Sequence, residues 1–227
     1  SLTAVSRETV NITTIEDPVE FVTDEFNQIS VQSAVDLTFT TALRHILRQD
    51  PDIIMVGEIR DVETAVSTMR SALTGHLVLS TLHTNDTATT AVRLMDMGVA
   101  PFLLMSTLRG IAAQRLVRKI CPECSEEWVP EDALADSIEI PRGSTLRRGN
   151  GCRACRNTGY KGRTGVFEVM DVGEEMRAAL AGRVGVDDIR RLAVSQGMRT
   201  MRDSARLKVL AGVTTPEEML KVDLGGE

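Results

Sequence analysis

An α/β fold built on a parallel sheet is predicted by three observations. Short runs of strand-forming residues at 10–15, 53–56 and 76–81 alternate with segments whose apolar residues recur at helical spacing. Ile53–Val56 is four apolar residues in a row, the texture of a strand covered on both faces. Each run exits into polar residues, and in open α/β sheets ligands bind at the carboxyl ends of the strands.

The chain has 227 residues, enough for one large domain or for one domain and a half plus an appendage. Aromatics are 3%, so aliphatic residues and ten Met must fill the core. A net charge of −6 argues against a dedicated nucleic-acid binder. No apolar run reaches the roughly 18 residues that a membrane span needs, and no signal peptide is visible. The chain opens Ser-Leu-Thr, which reads as a piece of something longer.

Residues 1–9 are polar and read as the tail of a helix. Residues 10–15 are β-branched and form a strand. It ends in Glu16-Asp17-Pro18-Val19-Glu20, an acidic cluster of the kind that suits Mg²⁺, or simply an acidic turn stopped by proline. Residues 21–35 read as a hairpin of two short strands. Residues 37–49 are helical, capped by Asp36 or Thr38, with Arg44 and Arg48 four apart on one face. The central strand 53–56 follows Asp50-Pro51 and ends at Gly57-Glu58-Ile59-Arg60. A carboxylate there, after a glycine that lets a ligand approach, is where a phosphate-hydrolysing enzyme holds a base or a metal-bound water, or else it belongs to a solvated Glu-Ile-Arg-Asp turn.

Asp61 caps a helix over 62–73, stopped by Gly75. Residues 76–81 form another buried strand, ending at His83, Thr84 and Asn85 on the same sheet edge as Glu58 and Glu16. A helix over 87–97 is ended by Gly98. A longer apolar helix over 101–117 opens on Pro101.

Cys121-Pro-Glu-Cys124 and Cys152-Arg-Ala-Cys155 then form two C-x2-C knuckles. Paired knuckles are a strong zinc signal, and four thiolates leave no open position for a catalytic water. From Arg142 to Arg163 there are seven Lys/Arg and no acidic residue. This basic stretch reads as a solvated loop or a face for an acidic partner or lipid headgroups. A strand at 166–170 precedes four short helices, at 176–181, 186–196, 201–211 and 215–222, and Gly225-Gly226-Glu227 should fray.

Taken together, residues 15–20, 41–49, 50–61, 73–86 and 114–118 and the four cysteines closely resemble the ATPases of type II secretion and type IV pilus assembly. The resemblance implies a partial RecA-like P-loop ATPase core over 1–117, a zinc module over 118–165 and a helical subdomain over 166–227. It implies that Glu58 polarises the attacking water or helps hold Mg²⁺. Glu16, Asp17 and Glu20 would support the metal and water, and His83 would sense the γ-phosphate of ATP. Arg44, Arg48 and Arg60 match arginines near the nucleotide or a neighbouring subunit. His76, Thr84 and Asn85 are placed among the nucleotide-contacting residues, and Cys121, Cys124, Cys152 and Cys155 hold Zn²⁺.

The family resembled is a cytoplasmic homo-hexamer, peripheral to the inner membrane and docked on platform and adaptor proteins. The tetracysteine module favours its secretion and pilus-extension branches. Two departures stand out. The usual Walker B aspartate position is Gly57, and no G-x-x-x-x-G-K-[ST] loop occurs in the sequence. The resemblance therefore implies a C-terminal piece of the motor that is inactive by itself. The alternatives are a nucleic-acid motor of similar fold and a zinc-bearing assembly scaffold.

Overall fold

The computed structural model describes residues 2–223, so the tail expected to fray lies outside the described residues. The chain forms two compact units. The first takes the chain up to Thr84, then Thr89–Arg109 and Val172–Ile189; the second takes Asn85–Ala88, Gly110–Asp171 and the chain from Arg190 onward.

The first unit is built on a four-stranded, wholly parallel sheet. Its strands are β1 (Ile12–Glu16), β2 (Asn27–Ser30), β3 (Ile53–Val56) and β4 (Leu77–Ser80), in the order β2-β1-β3-β4. Ile53, Ile54 and Val56 are buried, as a strand with neighbours on both sides requires. Helix α1 (Phe39–Ile46) starts in a capping box, with Thr38 Oγ1 accepting from Thr41 N at 3.2 Å and Thr41 Oγ1 accepting from Thr38 N at 2.8 Å. It buries Leu43 and Ile46 against Ile15, Ile54 and Val56, each side chain contributing about 2 kcal/mol. Helix α2 (Val62–Leu73) is capped by Asp61, whose Oδ1 accepts from Thr64 N at 2.8 Å. With α3 (Thr87–Asp96) and α4 (Pro101–Thr107) it supplies a second cluster around Ala65, Met69, Leu94 and Leu104.

Four sequence expectations change. Residues 21–35 are not a hairpin. Only β2 forms there, parallel to β1, with a 3₁₀ turn at Ser33–Val35, and Phe21 and Val22 are exposed. Helix α1 ends at Ile46, so Arg48 falls on the following turn and not on Arg44's helical face. Strand β4 is the sheet's edge, with Leu77 and Leu79 exposed rather than buried. The helix expected over 101–117 stops at Thr107, and β5 (Gly110–Ile120) takes over.

In the second unit β5 pairs antiparallel with β8 (Tyr160–Asp171) along almost its whole length. The expected divisions at 117/118 and 165/166 both fall inside this ladder. Strands β6 (Ser125–Trp128) and β7 (Leu146–Gly149) form a second antiparallel pair. Helices α5 (Asp132–Ser137), α8 (Met201–Leu210) and α9 (Pro216–Asp223) close a core around Ile138, Leu146, Val166, Val209 and Met219. The chain also forms α6 (Glu174–Ala181) and α7 (Val186–Ser195), and α6 packs on α4 within the first unit.

Charged groups inside the second unit are satisfied. Glu168, 4% exposed, accepts from Thr87 N, Thr87 Oγ1 and Met201 N at 3.0, 2.6 and 3.1 Å. Four of the seven cations in the basic stretch are paired locally: Arg142 with Asp136 and Asp132, Arg147 with Glu127, Arg148 with Glu126, and Lys161 with Glu123. Acidic residues that precede the stretch thus match four of its seven charges.

Candidate functional site

In the first unit, β1 and β3 end side by side. Each delivers a carboxylate at its carboxyl end: Glu16 closes β1, and Glu58 follows β3 by two residues. Gly57 is required between them. A Cβ at this position would lie 2.9 Å from the Ile15 carbonyl oxygen and 3.4 Å from Glu16 Cα, so the backbone leaves no room for an aspartate. Gly57 instead uses its backbone, donating to Ile15 O at 2.7 Å and accepting from Thr81 Oγ1 at 2.6 Å. Ile59 N donates to Thr81 O at 3.0 Å. Glu58 is therefore carried on backbone pinned to β1 on one side and to the exit of β4 on the other.

The Glu58 side chain is 13% exposed and bonded through both oxygens. Arg60 reaches Oε1 at 2.6 Å and His83 Nε2 reaches Oε2 at 3.2 Å. The Arg60 bond holds the Glu58 carboxyl below the ordinary carboxylate range; partial burial opposes this, and His83 adds to the lowering. Arg60 is pushed up in turn by Glu58, with Asp17 adding to the field. His83 itself is 85% exposed, so its ring remains open to an incoming group.

Glu16 is held by two donors to Oε1: Thr14 Oγ1 at 2.6 Å and Gln28 Nε2 at 3.2 Å. Gln28 also donates to Phe21 O and accepts from Thr23 N, at 3.0 and 2.8 Å. It thereby ties the loop carrying Asp17 and Glu20 to β1. Sequence reasoning assigned Gln28 no role. The signal that locates it is register: Gln28 pairs opposite Thr14, one strand across from the carboxylate two residues on.

The remaining expected residues are dispersed. Asp17 and Glu20 are exposed. Arg44 meets Glu63 at 3.5 Å, and Arg48 lies exposed after α1. Thr84 Oγ1 bonds Thr90 Oγ1 at 2.6 Å. His76 precedes β4, at the amino end of the strand whose carboxyl end leads to His83, and its Nδ1 lies 3.1 Å from Thr74 Oγ1 and 3.0 Å from Ser71 O. Asn85 belongs to the second unit, where Arg115 donates to it at 3.0 Å.

The second unit holds the four cysteines as one cluster, with all sulfurs within 4.8 Å of one another. Cys121–Cys152, Cys124–Cys155 and Cys152–Cys155 sulfurs stand 3.9, 3.8 and 3.7 Å apart. Four sulfurs about 2.3 Å from a central Zn²⁺ form a tetrahedron with edges of about 3.8 Å, so the donor set fits zinc. The knuckles are locked by backbone: Cys121 N donates to Gly159 O at 2.9 Å and Asn150 N to Cys124 O at 3.1 Å. Gly159, at φ +76°, faces Gly149 so closely that a Cβ on either would overlap the other's carbonyl. Burial pushes the Cys124 thiol up to about 12. Burial also works to raise Cys155, but N–H donors from Cys152 and Gly159 outweigh it and bring it down to about 6. Among the described residues this is the only converging group of three or more potential ligands.

Fold and site together define a parallel α/β domain with an acid, a guanidinium and an imidazole on its carboxyl edge, joined in one chain to a four-thiol centre. The chain belongs to the type II/IV secretion system protein family, whose description matches residues 1–221. It is 46% identical over 224 residues to type II secretion system protein E of Pseudomonas aeruginosa, covering 98% of this chain and 44% of that one. It is 44% identical to the type IV pilus assembly ATPase TfpB of Acinetobacter baylyi, covering 98% and 39%. The solved pilus retraction motor PilT with bound ADP matches at a TM-score of 0.68 and 27% identity, over 97% of this chain and 55% of that one. The chain thus spans less than half the length of these two curated relatives.

Proposed function

We propose that this chain carries the hydrolytic edge of a hexameric ATPase that powers type II protein secretion or type IV pilus assembly from the cytoplasmic face of the inner membrane. The observation that carries the reading is Glu58: a carboxylate at the end of a buried parallel strand, kept ionised by Arg60 and touched by an exposed imidazole. Ligands reach such a strand end in open α/β sheets. In this reading Glu58 orients the water that attacks the terminal phosphate. His83, bonded to it, meets the phosphate oxygens, and Arg60 fixes the orientation of Glu58. Glu16, Asp17 and Glu20 are the candidate holders of Mg²⁺, which takes one or two protein carboxylates plus substrate phosphates and waters. That requirement agrees with two strand-end carboxylates and no preassembled cage. Mg²⁺ would neutralise charge on the transferring phosphoryl group.

Gly57 limits the alternatives. With no side chain possible there, acidic support of the site falls on β1, where Thr14 and Gln28 hold Glu16. The phosphate-cradling loop, the other subunits of the ring and the platform and adaptor partners belong to the longer protein in this reading. Arg44 and Arg48, both exposed, are available to a neighbouring subunit. The thiolate centre binds Zn²⁺ in a structural role.

The test is steady-state ATP turnover by the longer protein that includes this chain, with and without Glu58→Gln. Turnover should fall at least about a hundredfold, the scale of a lost catalytic group. Near-native turnover in the variant removes Glu58 from the chemistry.

A further inference from the structure

Beside the Glu58 constellation, within the first unit, lies a cavity of ≈ 170 Å³ lined by Ile59, Arg60, Leu82, His83, Thr84, Arg93 and Met97. Its chemistry is one-sided. Three of the seven residues are cationic or can become so, three are apolar, and none is acidic. The cations are not equivalent. Arg60 and His83 are already engaged by Glu58. Arg93, in the last turn of α3, makes no ion pair and no side-chain hydrogen bond among the described residues. An uncommitted guanidinium and an exposed imidazole lining one cavity are an arrangement for a small tetrahedral oxyanion. Arg supplies a planar fork of donors, and a ring N–H of His83 can donate to an anion beside it.

We propose that this cavity is a seat for inorganic phosphate, with Arg93 as its anchoring residue. The inference rests on the hydrolytic reading of Glu58 for its biological meaning. When water attacks the terminal phosphorus, its oxygen bonds to phosphorus and the bond to the bridging oxygen breaks. The nucleoside diphosphate leaves with that bridging oxygen, and orthophosphate carries the oxygen of the water. Orthophosphate must then part from a site in which Glu58 repels it. Arg60, paired with Glu58, screens that repulsion, and Arg93 in the same cavity lining offers attraction. His83 borders both the carboxylate and the cavity, so the same ring that faces phosphate during cleavage can hand it on.

The cavity makes a demand that does not involve turnover. The chain holds three histidines, His45, His76 and His83, so ring proton resonances report on the cavity one residue at a time. Inorganic phosphate titrated into the chain at constant ionic strength should move the His83 resonance saturably and leave His45 and His76 in place. Arg93→Ala should weaken that response at least about tenfold, the loss of one charge-assisted contact. Arg93→Lys should recover part of it, and Arg70→Ala, on the exposed end of α2, should leave it unchanged. Unmoved His45 and His76 signals in Arg93→Ala show that the variant is folded. The proposal is overturned if phosphate does not move His83, if chloride at equal ionic strength moves it as far, or if Arg93→Ala responds like the wild type. If phosphate binds through Arg93 while the longer protein hydrolyses no ATP, the seat stands and the ATPase reading falls.

Discussion

Replacing Glu218 by Gln tests how the second unit is held together. Glu218 lies in the first turn of α9, and its carboxylate is 6% exposed. It accepts from Arg118 N, Nε and Nη2 at 2.9, 3.0 and 2.8 Å, and from Lys221 Nζ at 2.7 Å. Burial alone would raise its pKa, but these four donors outweigh burial and bring it from 4.5 to about 2. A gap of about 2.5 units is worth about 3 kcal/mol. Arg118 is half-exposed and stacked on the Tyr160 ring at 3.9 Å, so water re-solvates it when its partner is lost, and about 2 kcal/mol is the better expectation. The folded pKa is depressed. The stabilisation is therefore complete above the unfolded value near 4.5 and is lost as pH falls through about 2. Urea unfolding of wild type and Glu218→Gln, at matched zinc and a series of pH values, should show a penalty of about 2 kcal/mol near pH 7. The penalty should fall to less than half by about pH 3. An equal penalty at both pH values would show that shape, and not charge, supplies the stability, and the ion-pair reasoning would be wrong.

Two further outcomes follow from the sites described. Protein purified without added zinc should contain about one zinc per chain, and a strong chelator should lower the melting temperature; metal analysis returning none removes the zinc assignment. Gln28→Ala in the longer protein should cut ATP turnover by about tenfold while leaving the unfolding midpoint nearly unchanged, because it frees Glu16 and the loop behind it without opening the core. Unchanged turnover would make Gln28 a loop tether alone.

Most of the first unit was legible in the sequence because its signals are local. Asp61 announces a helix start, and the unbroken apolar run Ile53–Val56 reads as a covered strand. The carboxyl edge followed from those strands, and with it Glu16, Glu58 and His83. What failed depended on partners far along the chain. Residues 110–120 carry enough apolar character to pass for a continuation of α4. They become a strand because the β-branched and aromatic run in β8, 50 residues later, offers a ladder, leaving Ala112, Gln114 and Leu116 outward and Val117 inward. Phe21 and Val22 looked like half of a hairpin, yet β2 pairs in parallel with β1, and that pairing leaves no place for them in a strand. Residues 76–81 were read as covered because apolar runs usually are, and an edge position has no local mark. The basic stretch read as a solvated loop or a binding face, and its local pairing was not legible because the carboxylates that meet four of its cations precede them by six to 38 residues. Gln28 was invisible for the same reason: its importance lies in strand register, which composition does not encode.

The division of the chain has a consequence for its birth. Synthesis delivers most of the first unit, then Gly110–Asp171 of the second, then Val172–Ile189 of the first, and lastly the segment from Arg190 that completes the second. Helix α4 therefore waits for α6 through the whole of that intervening stretch, and the core around Val117 and Val166 waits for α8 and α9. Neither unit can be finished and released before the other begins. At about 5–20 residues per second, the nascent chain spends seconds with both apolar interiors open. The early-emerging thiolate knuckles are complete at Cys155, well before either unit can close. A four-thiol set complete at Cys155 is therefore available before α6, α8 and α9 have been made.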